Sequence, residues 1–148
     1  MPEPQVGAGT VIRTSGLTKS YGKRPALAEL NLEVGSGQVF GFLGPNGAGK
    51  TTTIRLLLDL IRPTAGTASI FGLDSRRDSP AIRRRIGYVP GDLALYSDLT
   101  GHQVVDFFAG LRGGVDQSYV DSLAAELQLD LAQEVGTLST GNRQKLGL

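Results

Sequence analysis

Residues 44–51 read Gly-Pro-Asn-Gly-Ala-Gly-Lys-Thr, the pattern G-x-x-x-x-G-K-[ST]. Its glycines let consecutive backbone N–H groups approach a polyphosphate with no side chain in between. Gly44, Pro45, Asn46, Gly47, Ala48 and Gly49 make the loop. Lys50 brings a point charge to the β- and γ-phosphate oxygens, Thr51 offers a hydroxyl to Mg²⁺, and Thr52 follows in the same first turn. A glycine-rich turn can match such a pattern by chance, so the flanking elements decide. A strand must deliver the loop, and a helix N-terminus must receive its amides and add its dipole.

Both flanks are present. The apolar run 38–43 predicts the strand. Residues 49–61 predict the helix, stopped before Pro63 because the residue preceding a proline is pushed out of helical conformation. Upstream, 11–15 predicts a short strand and 26–34 another, with Leu27, Leu30, Leu32 and Val34 interleaved with polar residues. Downstream, 67–71 reads as a strand closed by Gly72, 80–85 as a short basic helix with proline in its first turn, and 86–89 as a buried strand ended by Pro90-Gly91.

From residue 100 the character changes. Val104, Val105, Phe107, Phe108 and Leu111 follow helical spacing with Thr100 as N-cap. Gly113-Gly114 breaks the chain before a second amphipathic helix carrying Tyr119, Val120, Leu123, Ala124 and Leu127. The order predicts an α/β fold: a P-loop nucleotide-binding core with an antiparallel β piece in front and a helical piece inserted. It assigns 1–10 to a loose leader, 11–99 to the β subdomain and P-loop core, and 100–148 to the helical subdomain. The last residues fall inside a predicted helix opening near Gly141 with no returning strand behind it, so the core is expected to be incomplete.

Composition narrows the class. The 148 residues suffice for one ordinary domain, and 40% are hydrophobic, enough to bury a core. Fifteen basic against fourteen acidic residues leave +1, so no global field argues for nucleic acid. Arg83-Arg84-Arg85 reads as a solvated helix face. With no cysteine there are no disulfides or thiolate metal sites, which fits a reducing compartment. No apolar run approaches bilayer-spanning length.

A second motif meets the first. Residues 138–145, Leu-Ser-Thr-Gly-Asn-Arg-Gln-Lys, resemble the signature of ATP-binding cassette (ABC) ATPases, usually Leu-Ser-Gly-Gly-Gln, and their distance from Lys50 is typical of that family. The resemblance covers the chain from Val11 onward. It implies ATP and Mg²⁺ as ligands, and Tyr21 of the segment 16–21 as the ring that stacks on adenine, a contact worth on the order of 1 kcal/mol. Outside that family Tyr21 would read as a half-buried strand-end tyrosine. The resemblance also implies a homodimer or heterodimer of ATP-binding subunits facing head to tail, so that Ser139 and Gly141 reach the γ-phosphate held by the other copy. A transmembrane permease is the further implied partner, which puts the chain in the cytoplasm, peripheral on the inner face of the membrane. The stretches 42–74 and 86–100 look most like prokaryotic exporters whose ATPase is a separate polypeptide.

Three departures qualify the activity. The family's Gln loop should begin after 88–90, where this chain has Gly91 and then Asp92, so that role is taken by Asp92, weakened or absent. An ordinary surface turn is the other reading of Pro90-Gly91-Asp92. Thr140 and Asn142 replace the usual glycine and glutamine of the signature. The family's acidic strand with its catalytic glutamate, and its switch histidine, lie beyond the signature helix. His102, the one histidine, precedes the helical piece and reads as a surface residue near a helix start. Catalytic residues are therefore unassigned apart from Asp92, and the chain is expected to bind ATP and hydrolyse it poorly or not at all. A non-hydrolysing regulatory fragment and a soluble ABC protein outside transport are the alternatives.

Overall fold

In the computed structural model, which describes residues 9–148, the alternation at the N-terminus builds longer strands than the sequence predicts. β1 (Thr10–Tyr21) and β2 (Arg24–Gly35) form an antiparallel hairpin closed by the Tyr21↔Arg24 pair. The sequence predicts only 11–15 of β1 as strand. Gly16 marks an irregularity in the ladder that side chains bridge: its N–H donates to Asn31 Oδ1 at 2.8 Å, and Glu29 N–H donates to Thr18 Oγ1 at 3.0 Å. β3 (Ala65–Ile70) pairs antiparallel with the other edge of β1, and the two-residue β4 (Leu73–Asp74) pairs with β3, giving the order β2-β1-β3-β4. The 1–8 part of the expected leader lies outside the described residues.

α1 (Lys50–Leu57) packs its buried Leu56 against Leu17 of β1 and Ala68 of β3, with Leu27, Leu30, Leu57 and Ile61 around them. It ends short of the predicted residue 61. Asp59 adopts φ 55°, its N–H donates to Leu56 O, and Leu60 N–H reaches back to Arg55 O at 2.9 Å. That Schellman geometry closes the helix before Pro63 can act. α2 (Ser79–Arg83) follows, with Pro80 in its first turn and Ile82 buried.

Two predicted strands are absent. Residues 38–43 and 86–89 have no strand partner among the described residues, and Val39 and Leu43 of the first are almost fully exposed. Their apolar runs suit a parallel strand covered on both faces, and such a strand forms only when a neighbour supplies the ladder.

The chain divides into two compact units, Met1–Gly87 and Tyr88–Leu148. The second is helical: α3 (Gly101–Gly110), α4 (Gln117–Glu126), a 3₁₀ turn (Val135–Thr137) and α5 (Thr140–Leu146). Its core of Leu129, Leu131 and Leu138 is flanked by Val120, Ala124, Leu127 and Leu146. Thr100 caps α3 as predicted, in a full capping box with Gln103: Thr100 N–H donates to Gln103 Oε1, and Gln103 N–H to Thr100 Oγ1. Among the described residues no helix is long and apolar enough to cross a membrane.

Two outcomes follow. Thr100→Ala should cost the helical unit about 1 kcal/mol in denaturant unfolding, with Thr100→Ser keeping most of it. In the other unit, Asp74 Oδ1 accepts the N–H groups of Arg76 and Arg77 at 2.9 and 3.0 Å, and these backbone bonds hold its carboxyl below the ordinary 3.8. Because the folded-state pKa is depressed, this contribution is complete above the unfolded value and disappears as pH falls through the folded one. Asp74→Asn should therefore flatten the acid limb of a stability profile measured below about pH 4.

Candidate nucleotide site

The predicted loop is built on one close approach. Gly49, buried and with φ 86°, is the N-cap of α1, and a Cβ there would lie 2.7 Å from the Ala26 carbonyl oxygen and 3.3 Å from Leu27 Cδ1. Only glycine fits, on grounds of both conformation and space. Ala26 lies in β2 two residues beyond Arg24, the partner of Tyr21, so the end of the hairpin that carries Tyr21 is also the end that touches the loop. Gly49 O in turn accepts both the N–H and the hydroxyl of buried Thr53, at 2.8 and 2.9 Å, which ties the first turn of α1 to the loop.

This leaves a row of donors. Among the described residues the N–H groups of Gly47, Gly49, Lys50, Thr51 and Thr52 donate to no protein acceptor, whereas Ala48 N–H is engaged by Pro45 O at 3.2 Å. Five amides around a helix N-terminus fit an oxyanion ligand. Lys50 Nζ lies on the rim of the same loop, donating to the carbonyls of Gly44 and Pro45, the latter at 2.8 Å. Those bonds hold the ammonium at the loop in place of a carboxylate partner. Asn46 and Gly47 are exposed at its tip, Thr51 is exposed, and Thr52 is half-buried. The Thr51 hydroxyl has no protein partner among the described residues, unlike that of Thr53, and so suits a hard cation such as Mg²⁺.

Tyr21 is 55% exposed, with Lys19 Nζ 5.0 Å from its ring centroid. Ser139 and Gly141 belong to the helical unit. Ser139 is the N-cap of α5, its Oγ accepting Asn142 N–H at 3.2 Å, and Gly141 is exposed in the first turn. Asp92 is exposed, as is His102 in the first turn of α3.

Sequence reasoning missed one connection. Gln144 Nε2 donates to Gly91 O at 2.8 Å, across 53 positions, so the turn at Pro90-Gly91-Asp92 is held through its backbone by a glutamine of α5. A Cβ on Gly147 would overlap Leu93, which marks how closely the 91–94 segment approaches the same helix. Neither contact has a periodic signature. Lys145 was also passed over; its Nζ donates to Leu127 O at 2.8 Å, satisfying the C-terminal end of α4.

An antiparallel sheet, a glycine loop opening α1 and, in the helical unit, a serine-capped helix bearing the signature sequence are the parts of the ATP-binding domain of an ABC ATPase. The chain belongs to the ABC transporter family, whose model matches residues 27–148. It is 40% identical over 141 residues to the bacitracin transport ATP-binding protein BcrA of Bacillus licheniformis, covering 94% of this chain and 46% of the relative. It is 38% identical over 145 residues to the daunorubicin resistance ATP-binding protein DrrA2 of Streptomyces coeruleorubidus, covering 95% and 45%. The chain thus spans less than half the length of these curated relatives. A solved bacterial Atm1-family ABC exporter with ATP bound superposes with a TM-score of 0.79 at 28% identity, over 99% of this chain and 29% of that one.

Gly49→Ala should destabilise the chain by about 2–4 kcal/mol, combining a left-handed φ with overpacking against β2. Urea unfolding measures this, and an unchanged midpoint would show that the loop does not rest on Ala26.

Proposed function

We propose that this chain is the ATP-binding part of an ABC exporter, in which Mg²⁺-ATP binding closes two such domains and drives a separate permease. The observation that carries the reading is the set of five unpaired amides around Lys50 at the mouth of α1. Gly47, Gly49, Lys50, Thr51 and Thr52 would hold the phosphates, with Gly44, Pro45, Asn46 and Ala48 shaping the turn. Thr51 would ligate Mg²⁺, which when bound neutralises charge on the β- and γ-phosphates. Tyr21, at the hairpin end that meets the loop, would stack on adenine.

Ser139 and Gly141 stand at the N-terminus of α5, where the serine hydroxyl now caps Asn142 N–H and would turn to an anion when one arrives. In the proposed head-to-tail homodimer or heterodimer they complete the site of the other copy. The exporter reading is supported by the transport and resistance functions named for the relatives above. A permease partner is further supported by the half-exposed aromatic row on the helical unit, where Tyr96 and Phe107 centroids lie 5.8 Å apart and Phe107 and Phe108 5.2 Å apart, both edge-to-face. Such a row on a charged surface suits an apolar cytoplasmic segment of a membrane subunit. That partner would hold the chain at the cytoplasmic face of the membrane.

Turnover should be slow, since Gly91 presents no side chain where the family positions water and metal, and Asp92 is exposed rather than aimed by a hydrogen bond. Calorimetric titration with Mg²⁺-ATP, alongside a phosphate-release assay, tests the reading. Lys50→Ala should weaken binding at least tenfold, as loss of a charge-assisted phosphate contact requires. Binding that ignores this substitution would sink the proposal, and fast turnover would transfer catalysis to groups not identified above.

A further inference from the structure

We infer that Lys19 is a positioning residue for Tyr21, holding the ring so that its outer face is ready for a purine base; the role rests on the reading of Tyr21 proposed above. Lys19 and Tyr21 are two positions apart on β1 and so share a face of the strand. The Lys19 ammonium lies 5.0 Å from the Tyr21 ring centroid. It is not a free surface amine: Nζ also donates to the Arg62 carbonyl at 2.7 Å, in the segment leaving α1.

That segment is itself stitched to the same strand. Thr64 N–H donates to Thr18 O at 2.8 Å, and Ser20 N–H to Thr64 Oγ1 at 3.0 Å. The anchor for the ammonium is therefore fixed on both sides of Lys19, and the cation is held at the ring rather than swinging in solvent.

A cation fixed over one face of an aromatic ring restrains its two side-chain torsions. Among the described residues no other aromatic group stacks on Tyr21, and the residue remains 55% exposed, which leaves ring surface for a base. A base arriving there meets a ring already ordered, and less conformational freedom is lost on binding. A charge effect of Lys19 on the phosphates would, by contrast, be independent of the base. The two roles separate experimentally because inorganic tripolyphosphate has no base to stack.

The test titrates the chain and its variants with Mg²⁺-ATP and with Mg²⁺-tripolyphosphate. Lys19→Met keeps the stem and removes the charge; it should weaken ATP by about three- to fivefold while leaving tripolyphosphate unchanged. Lys19→Arg, which keeps a cation and a donor for the Arg62 carbonyl, should restore ATP affinity. In a Tyr21→Ala background Lys19→Met should cost nothing further. Equal losses for ATP and tripolyphosphate, or additive losses in the double variant, would overturn the positioning role and leave only a charge effect. If Tyr21→Ala alone leaves ATP affinity unchanged, the stacking reading fails and the role of Lys19 fails with it, whereas a failed phosphate site would appear separately as indifference to Lys50→Ala.

Discussion

The contact of Gly49 with β2 is the constraint on which the phosphate loop depends. The loop must turn into α1 through a left-handed residue, and the space beside that residue is already taken by the Ala26 carbonyl. A side chain at this position would separate loop from hairpin. The same glycine accepts two hydrogen bonds from Thr53, so the loop, the helix and the sheet meet at one residue. The buried cluster of Leu17, Leu56 and Ala68 then holds α1 on β1 and β3. Packing in that cluster is what keeps the row of amides facing outward, because a rigid helix start costs a ligand little ordering.

In the helical unit the corresponding junction is α5, only seven residues long yet tied along its length. Ser139 closes its N-terminus, Gln144 holds the carbonyl of Gly91, Lys145 satisfies the end of α4, and Leu146 joins the core of Leu129, Leu131 and Leu138. A helix this short has little stability of its own, so tertiary bonds maintain it. Gln144 grips a carbonyl rather than a side chain, so this bond does not depend on a side chain at position 91.

Residues 38–43 show the opposite case, an element whose formation lies outside its own composition. Four of its six residues are large and apolar, yet Val39 and Leu43 face solvent. Antiparallel strands β1 and β2 close on each other through a two-residue turn, so the hairpin supplies its own ladder. A parallel strand has no such local route, and 38–43 finds no neighbour among the described residues. The same reason leaves 86–89 irregular.

Local chemistry, by itself, determined the glycine loop that opens α1, the N-cap at Thr100, the break at Gly113-Gly114 and the resemblance that identified the family. Each depends on residues within a few positions of one another, where type and spacing alone set the geometry. Tertiary structure decided what local pattern cannot encode. β1 runs through Gly16 because two bonds cross the irregularity: Asn31 of β2 accepts Gly16 N–H, and Thr18 of β1 accepts Glu29 N–H. The end of α1 at Leu57 is by contrast a local device, a left-handed turn at Asp59 bonded to carbonyls of the helix's own last turn, which acts ahead of the proline that sequence rules weight most. Gln144 meets Gly91, and Lys19 meets both Tyr21 and Arg62, across separations that carry no periodic signal. Those contacts exist only once the chain has folded, because chain topology rather than spacing brings their partners within reach.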